Sequence, residues 1–380
     1  MGYTMTLSRQ DICKATSVKL TAAADRLRST KAVIGLDGFV DSIIDVVDQR
    51  QDATHYHAIP TIDRFGHKIV AAAGQSSNYE LVVKMTKLGG NGPIMAQALA
   101  CAGLDMTYIG SLGYPSIHPV FADFGRRAKL ISLGEPGYTD ALEFTDGKLM
   151  LGKLTHLAEI NWQNLAERFG IDKFTALLGD ADFIAMNNWT MLPLMGDIWK
   201  HMLDEVLPKL PKRPRRFFVD LADPEKRPQE ELADSLRTLG GCQQYIEVTL
   251  GMNLKESTQV AQALGIAIEG DLEDAIETTA ARIRQALGLA CVVIHPRKGA
   301  AAADASGTAR FSGPFIQKPK IGTGAGDHFN AGFALGQIIG LGLAESLCAG
   351  VATSGYYVRT AKSPSAVELA EFVAHLPAPE

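Results

Sequence analysis

Short apolar, β-branched runs alternate along this chain with longer segments in which apolar residues recur every three to four positions. The short runs are typical of buried strands, and the longer segments are typical of amphipathic helices. Such an alternation predicts an α/β fold with a mostly parallel sheet and helices on both of its faces. The predicted strands are Ala32–Gly35, Met106–Ile109, Phe183–Met186, Phe217–Asp220, Tyr245–Thr249 and Cys291–His295, and the predicted helices are Pro93–Gly103, Ile198–Leu207, Glu230–Leu239, Asp271–Leu287 and Asp327–Leu341.

Two regions interrupt this alternation, at residues 54–88 and 138–154. Both carry short strand-like runs and turns, such as Ala141–Phe144 followed by Asp146-Gly147. An Asp-Gly pair between alternating runs indicates a β-hairpin. The two regions are therefore predicted to supply the strands of a small β lid beside the main sheet.

The first thirty residues have the pattern of a surface helix. Ile12, Leu20 and Leu27 are interleaved with Lys, Arg and Asp, and the apolar centre of a signal peptide is missing. We therefore predict an N-terminal helical extension over residues 1–30 and one larger domain over residues 31–380.

Composition narrows the classes of function. The chain has 46% apolar and 21% charged residues and a net charge of −5, which gives no electrostatic reason to expect nucleic acid or an anionic membrane as a partner. The longest apolar region, residues 331–344, is broken by glycines and by Gln337, so it is too short to span a bilayer. The five cysteines are widely spaced and form no C-x-x-C pair, which favours a reducing cytoplasm.

One segment combines two features that phosphoryl transfer requires. Gly322-Thr323-Gly324-Ala325-Gly326-Asp327 places small residues directly before an acid and an apolar helical run. Unpaired N–H groups and the helix dipole at such a helix N-terminus attract an anion. A carboxylate beside this anion hole can accept the proton of an attacking hydroxyl. A tight turn that only ends a strand is the alternative interpretation.

The same segment resembles the C-terminal signature of the ribokinase-like (PfkB) carbohydrate kinases, through residues 324–327 and through Phe329, Ala331 and Gly332. The resemblance implies a three-layer α/β/α fold with a mostly parallel central sheet and a small β lid. It implies a kinase that moves the γ-phosphate of ATP, with Mg²⁺, to a hydroxymethyl group of a sugar or related small molecule. In this interpretation Asp327 is the general base, and the anion hole consists of the amides of Gly324, Ala325 and Gly326.

The resemblance also indicates a metal site at Asn253 and Glu256. By itself, an Asn-x-x-Glu sequence is an ordinary i,i+3 polar pair of a surface helix. The family, however, carries Asn-x-x-Glu at this stage of the chain, where it helps to hold Mg²⁺ through water molecules. Oxygen ligands and bound water suit Mg²⁺.

For the acceptor, the resemblance points to two glycines and two acids. Gly89 and Gly90 match the Gly-Gly pair that the family uses for close backbone approach to the sugar. Ile94 stands where most members have Asn, and Asn91 is the predicted substitute. Asp41 corresponds to an Asp that binds acceptor hydroxyls, and Asp37 precedes it where other members have Glu or Asn. Solvated loop acids are the alternative interpretation of this pair.

For the nucleotide, the resemblance points to the loop after the strand at Cys291–His295. Lys298 and Gly299 match a nucleotide-contacting loop of the family, although Arg297 replaces its first glycine. Thr323 is predicted to bind the nucleotide as well.

Several alternatives stay open at the level of sequence. One alternative is a nucleoside kinase of the same fold. Another is an ADP-dependent sugar kinase of that fold, because residues 89–96 are similar to the ADP-dependent branch. A non-catalytic nucleotide or sugar sensor is another, because folds are reused for different functions. The lid is also predicted to support a homodimer, because exposed sheet edges are often covered by a second subunit.

Overall fold

The computed structural model describes residues 7–380. It contains two β-sheets and a set of helices that cover both faces of the larger sheet. The strands are β1 (Lys31–Gly35), β2 (Phe39–Arg50), β3 (Tyr56–Ala58), β4 (Leu81–Gly89), β5 (Asp105–Gly110), β6 (Ala128–Ser132), β7 (Gly137–Phe144), β8 (Gly147–Lys153), β9 (Phe183–Met186), β10 (Arg216–Asp220), β11 (Glu247–Met252), β12 (Cys291–Ile294), β13 (Gly299–Asp304) and β14 (Gly307–Ser312).

The helices alternate with these strands along the chain. They are α1 (Arg9–Ala23), α2 (Ile62–Ala71), α3 (Asn91–Ala102), α4 (Ala122–Gly125), α5 (Trp162–Arg168), α6 (Ile171–Asp180), α7 (Met195–His201), α8 (Gln229–Cys242), α9 (Leu254–Ala263), α10 (Ile276–Leu287), α11 (Ala325–Ile338), α12 (Leu343–Thr360) and α13 (Ala366–Ala374). Within residues 7–380, none of these helices has the length and apolar character needed to cross a membrane.

The central sheet has nine strands in the order β14-β13-β12-β11-β10-β9-β1-β5-β6. Strands β12, β11, β10, β9, β1, β5 and β6 are parallel, and β13 and β14 add an antiparallel edge. Most strands of this sheet are buried, which agrees with their unbroken apolar sequences.

Two apolar cores lie on the two faces of this sheet and make the molecule three-layered. One core packs α6–α10 against the sheet and includes Phe174 and Trp199. The other packs α1, α3, α11, α12 and α13 against the opposite face and includes Leu99 and Phe333. The N-terminal helix α1 belongs to this second core, because its Leu20 is buried in it and the helix packs against α12 and α13.

The lid consists of β2, β3, β4, β7, β8 and α2. Its long strand β2 pairs with β4 and β3 in antiparallel fashion and with β7 in parallel, and β7 forms a hairpin with β8 through the predicted Asp146-Gly147 turn. A small apolar core joins α2 to the sheet through Ile44, Phe65 and Leu142.

The prediction for residues 54–88 was wrong in part. It described only strands and turns, whereas helix α2 occupies Ile62–Ala71 between β3 and β4. The prediction also missed β2, the strand from which the lid is built. The predicted strand Tyr245–Thr249 lies at Glu247–Met252 in the structure, because Ile246 ends the turn that follows α8.

Candidate active site

The carboxyl ends of five parallel strands gather polar residues at one edge of the central sheet. Asp37 follows β1, Asn188 follows β9, Asp220 ends β10, Asn253 follows β11 and His295 follows β12. In open α/β sheets this edge is the usual ligand-binding crevice. Helix α11 and the N-terminus of α3 approach the same edge, so the sequence motifs found far apart in the chain meet here.

Helix α11 begins at the predicted glycine loop. Its N-cap residue Gly324 has φ 89°, a left-handed conformation that favours glycine. Within residues 7–380, no acceptor lies on the N–H groups of Gly324 and Gly326. The N–H of Ala325, by contrast, donates to the carbonyl oxygen of Gly322 at 3.2 Å. The geometry thus supports an anion hole from Gly324 and Gly326, and Ala325 would join it only if this turn opened.

Asp327 lies in the first turn of α11 and is only 8% exposed. Its Oδ1 accepts a hydrogen bond of 2.9 Å from the Nδ2 of Asn91, so the structure brings these two predicted residues together. Burial raises the pKa of Asp327 to about 8, and the charges of Asp37 and Glu256 act in the same direction, whereas the Asn91 amide lowers it. The carboxyl group therefore exchanges its proton near neutral pH, which suits a general base.

On the lid side of the crevice, Asp41 projects from β2 beside Gly89. A Cβ atom on Gly89 would overlap the Asp41 carboxylate, with the farthest of its three atoms at 2.6 Å. Burial raises the pKa of Asp41, and a hydrogen bond donated by the Thr139 side chain and the charge of Lys87 oppose that shift. Gly90 is the N-cap residue of α3, with φ 101°. The predicted glycine pair thus makes room for the acid that is expected to bind the acceptor.

Asp37 has a different environment from Asp41. It is fully buried, and its Oδ1 accepts from the N–H of Gly92 at 3.0 Å and from the hydroxyl of Tyr108 at 3.1 Å. Its Oδ2 accepts from the Nδ2 of Asn188 at 2.8 Å. Burial raises the pKa of Asp37 to about 6 although these donors oppose the shift. This geometry does not support the predicted direct contact with an acceptor, because Asp37 holds the start of α3 instead.

The predicted metal residues cap a helix in this structure. Asn253 Oδ1 accepts from the N–H of Glu256 at 2.9 Å, and Glu256 Oε2 accepts from the N–H of Asn253 at 2.8 Å. This is a capping box, which explains the i,i+3 spacing locally. The other oxygen, Oε1, accepts from the N–H of Asp223 at 2.9 Å. Both side chains lie at the crevice, but the hydrogen bonds that they accept come from backbone N–H groups.

The sequence did not identify Asp220 or Asn330, which lie in the same crevice. Asn330 follows Asp327 by about one turn of α11, and its Nδ2 donates to Asp220 Oδ2 at 2.6 Å. Burial raises the pKa of Asp220 well above its ordinary value, and the charges of Glu256 and Asp327 add to this rise. The Oδ1 of Asn330 is buried without a partner among the described residues. The sequence did offer one indication of Asp220. It is an acid at the end of β10, and β10 lies next to β11, the strand that precedes Asn253.

A cavity of about 400 Å³ opens on the other side of the glycine loop. Its walls are largely apolar, and it reaches the loop at Gly322 and Gly326 and the predicted metal residue Asn253. Its lining residues are Asn253, His295, Pro296, Arg297, Gly299, Gly313, Pro314, Phe315, Ile316, Pro319, Gly322, Ala325, Gly326, Phe329, Val351, Ser354, Gly355 and Val358. The size and the apolar lining suit a nucleotide base and sugar.

Only one of the predicted nucleotide-binding residues lines this cavity. Gly299 lines it, whereas Lys298 is exposed and lies outside the lining. Thr323 is half-buried, and its carbonyl oxygen accepts from the hydroxyl of Tyr357. Arg297, which the sequence left between a phosphate contact and solvent, lies at the rim, with its guanidinium 5.6 Å from the ring centre of Phe315.

Solved kinases share this architecture. Ribokinase from Arabidopsis thaliana, complexed with ribose and ATP, superposes with a TM-score of 0.61 at 16% identity and covers 90% of this chain and 98% of its own. Phosphofructokinase-2 from Escherichia coli, in complex with substrates and products, superposes with a TM-score of 0.60 at 14% identity, covering 91% and 99%. These neighbours confirm the predicted three-layer fold with a lid, and the class of protein that it defines is the ribokinase-like fold.

Sequence comparison gives the particular family. The family model described as prokaryotic ketohexokinase matches residues 12–376. Ketohexokinase from Haloferax volcanii is 32% identical over 350 residues, which is 92% of each chain. The chain belongs to the prokaryotic ketohexokinase family. The prediction of an ATP-dependent carbohydrate kinase is thereby confirmed, and these relatives do not support the alternatives of a sensor or an ADP-dependent enzyme.

Proposed function

We propose that this protein transfers the γ-phosphate of ATP to a hydroxymethyl group of a ketohexose. The observation that carries the proposal is the position of Asp327, a buried carboxyl group that exchanges its proton near neutral pH beside two N–H groups without an acceptor in the described part of the chain. The name of the Haloferax relative supports the ketohexose as the acceptor. Asp41 supports a hydroxyl-rich acceptor, because it offers carboxylate oxygens to hydroxyl donors on the lid side.

In the proposed reaction, Asp327 accepts the proton of the acceptor hydroxyl as that oxygen forms a bond to the γ-phosphorus. The bond between this phosphorus and the bridging oxygen of ATP breaks, and ADP leaves. The N–H groups of Gly324 and Gly326 stabilise the charge on the transferred phosphoryl group. Fixed donors are effective here because they need no reorientation during the reaction.

We propose that the nucleotide occupies the cavity beside the glycine loop. The apolar wall contributed by Phe315 and Val351 suits the base, and Gly299 also lines the cavity. The phosphates then extend past Gly322 toward Asn253 and the anion hole. Lys298 and Thr323 remain predicted nucleotide contacts. Lys298 would reach the nucleotide with its side chain from outside the cavity, and Thr323 would contact it as part of the glycine loop.

Mg²⁺ fits the acidic side of the crevice. Asp220 and Glu256 are buried acids, and the charge of Glu256 adds to the raised pKa of Asp220. Asn330 Oδ1 lacks a partner among the described residues, so a cation here would relieve repulsion. In the part of the chain that the structure describes, no three His, Cys, Asp or Glu side chains converge as a metal cluster. We propose that Asn253, Glu256 and Asp220 hold Mg²⁺ partly through water, where it would neutralise charge on the phosphates.

The acceptor is tested with a panel that separates the alternatives. Purified protein is supplied with Mg²⁺ and ATP or ADP, and nucleotide turnover is followed with ketohexoses, aldohexoses, ribose and nucleosides as acceptors. We expect turnover with ATP and a ketohexose at a kcat/KM at least about tenfold above that of any other acceptor. Preference for a nucleoside, or tight ATP binding without turnover of any acceptor, would contradict the proposal.

The proposed base sets the pH dependence of the reaction. Only the ionised carboxylate can accept a proton, so kcat/KM for the ketohexose should rise with pH and level off above about 8, the pKa to which burial raises Asp327. Asn91→Ala removes the amide that lowers this pKa and should move the inflection to higher pH. Profiles measured between pH 6 and 9.5 check both expectations. A flat wild-type profile, or a shift to lower pH in the variant, would contradict them.

We propose that the lid mediates a homodimer. Strand β4 is an edge strand of the lid, and Leu81, Val83 and Met85 on it are 44%, 54% and 54% exposed. A row of exposed apolar side chains on an unpaired strand edge favours pairing with a second subunit.

The lid dimer predicts a specific loss of association. Val83→Asp should convert a dimer to a monomer in light scattering coupled to size exclusion at micromolar concentration. Val18→Asp, which changes an exposed valine on α1 far from the lid, serves as the control and should stay dimeric. A wild-type monomer, or a dimer that Val83→Asp leaves intact, would contradict the lid interface.

A further inference from the structure

Two aromatic rings stack directly behind the glycine loop. The rings of His328 and Tyr357 have centroids 3.6 Å apart and planes inclined by 11°. His328 lies on α11 next to Asp327, and Tyr357 lies near the end of α12. The proposed reaction uses neither side chain directly, although both touch the loop that carries the anion hole.

Each of the two side chains donates a hydrogen bond to a carbonyl oxygen of that loop. The Tyr357 hydroxyl donates to the carbonyl oxygen of Thr323 at 3.0 Å. The Nδ1 of His328 lies 2.8 Å from the carbonyl oxygen of Gly324. A carbonyl oxygen only accepts, so Nδ1 carries the proton, and Nε2 is left to accept from the hydroxyl of Ser363 at 2.9 Å. One neutral tautomer of His328 satisfies all its contacts.

The protonation states of both rings agree with these contacts. Burial lowers the pKa of His328 to about 4, so the imidazole is neutral in the neutral pH range and Nε2 remains an acceptor. Burial raises the pKa of Tyr357 to about 12, and the nearby charge of Asp327 adds to the rise, so the phenol keeps its proton as a donor. The pair therefore does not change its hydrogen bonding across the pH range in which Asp327 titrates.

Planarity of the peptide bond connects these carbonyl contacts to the anion hole. The carbonyl of Thr323 and the N–H of Gly324 belong to one rigid plane and point in opposite directions. Holding the Thr323 oxygen from behind therefore aims the Gly324 N–H toward the crevice. In the same way, the carbonyl of Gly324 fixes the plane that leads into α11. Glycine at 324 has φ 89° and no side chain to restrict it, so external contacts must restrict it.

We propose that His328 and Tyr357 are positioning residues that hold the amide of Gly324 in the orientation needed to stabilise the transferred phosphoryl group. The inference rests on the proposed phosphoryl transfer and adds the contacts that preorganise its anion hole. It also explains why Ser363, which lies after α12, contacts the ring that follows the proposed base. Preorganised donors act on the transition state more than on bound substrate, so these contacts should affect kcat more than KM.

The test changes one ring at a time and keeps the stack. Tyr357→Phe loses the hydroxyl, and His328→Phe loses Nδ1–H together with the Nε2 acceptor of Ser363. We expect each to lower kcat about tenfold with less than about a twofold change in either KM, a smaller effect than removal of an anion-hole donor itself. His328→Asn keeps an amide donor near the position of Nδ1 and should retain more kcat than His328→Phe. Tyr356→Phe is the matched control, because that hydroxyl faces Glu368 at 3.4 Å and not the loop.

A second readout separates positioning from packing. Binding of ADP with aluminium fluoride mimics the planar phosphoryl group, and its dissociation constant should weaken about tenfold in Tyr357→Phe while that of ADP alone is unchanged. Melting temperatures establish that each variant is folded. If Tyr357→Phe and His328→Phe both keep kcat within twofold of the Tyr356→Phe control, or if ADP binding weakens equally with and without aluminium fluoride, the inference is wrong. Wild-type turnover in the same assay tests the proposed function separately.

Discussion

Asp327→Asn is expected to lower kcat for ketohexose phosphorylation by about 10²–10⁴-fold, the range that general-base catalysis contributes. The amide keeps the shape of the side chain and the contact with Asn91, but it cannot take the proton of the acceptor hydroxyl. KM for ATP should change little, because the nucleotide cavity does not include Asp327. Steady-state turnover of both proteins checks this result, and equal kcat values would rule out Asp327 as the base.

The same substitution should stabilise the ligand-free protein. Burial raises the pKa of Asp327 from 3.8 to about 8, so the folded state binds this proton more strongly than the unfolded state. Stability therefore falls as pH rises from about 4 to 8, since the ionised carboxylate is favoured in the unfolded chain. Asp327→Asn removes the ionisation, and at pH 8 we expect its Tm to exceed that of the wild type by about 2 °C or more.

The higher Tm expected for Asp327→Asn should depend on pH, and an exposed aspartate provides the control. The Tm difference between Asp327→Asn and wild type should shrink as the pH is lowered toward 5, where the wild-type carboxyl group is protonated. Asp123→Asn changes an exposed aspartate and should show no such trend. A lower Tm for Asp327→Asn at pH 8, or a difference that does not depend on pH, would show that the carboxylate is not destabilised in the folded protein.

Gly89→Ala is expected to disable acceptor binding. The new Cβ would overlap the carboxylate of Asp41 and displace it from its place beside Thr139. A displacement of about 1 Å at a substrate-binding group can reduce activity by about 10²-fold, so kcat/KM for the ketohexose should fall by that order. ATP binding should be unaffected, because Gly89 lies on the lid side of the crevice.

The control for this substitution is Gly66→Ala. A Cβ on Gly66 meets no atom within 4 Å, and the residue lies in the lid helix α2. Calorimetric titration with the sugar and with ATP separates the two sites. Wild-type sugar affinity in Gly89→Ala would show that Asp41 does not bind the acceptor in the arrangement described.

The strands of the central sheet were predictable because burial on both faces demands continuous apolar runs. The prediction for β9 at Phe183–Met186 agrees with the structure at both ends. The lid was harder to predict. Strand β2 pairs with three other strands, of which β4 and β7 are distant in sequence, and its acidic residues Asp41 and Asp45 interrupt the apolar pattern. The structure of the lid depends on this non-local pairing of strands, and local sequence patterns do not predict such pairing.

The site divides in a similar way. Gly324, Gly326 and Asp327 were identified because a helix start requires its residues to be adjacent in sequence. Asp220 and Asn330 are 110 positions apart and meet only through the fold, so the sequence did not single them out. The Asn253–Glu256 pair is ambiguous for a physical reason, since its spacing serves a capping box as well as a metal site.

The most direct test of the account is the identity of the phosphorylated product. Wild-type protein is incubated with Mg²⁺, ATP and a ketohexose, and the product is examined by proton-coupled ³¹P NMR. Transfer to a hydroxymethyl group predicts a new phosphate monoester signal split into a triplet by the two protons of the CH₂–O–P group, together with ADP. A doublet, which indicates a secondary hydroxyl as the acceptor, or only inorganic phosphate beside ADP, would contradict the proposed reaction.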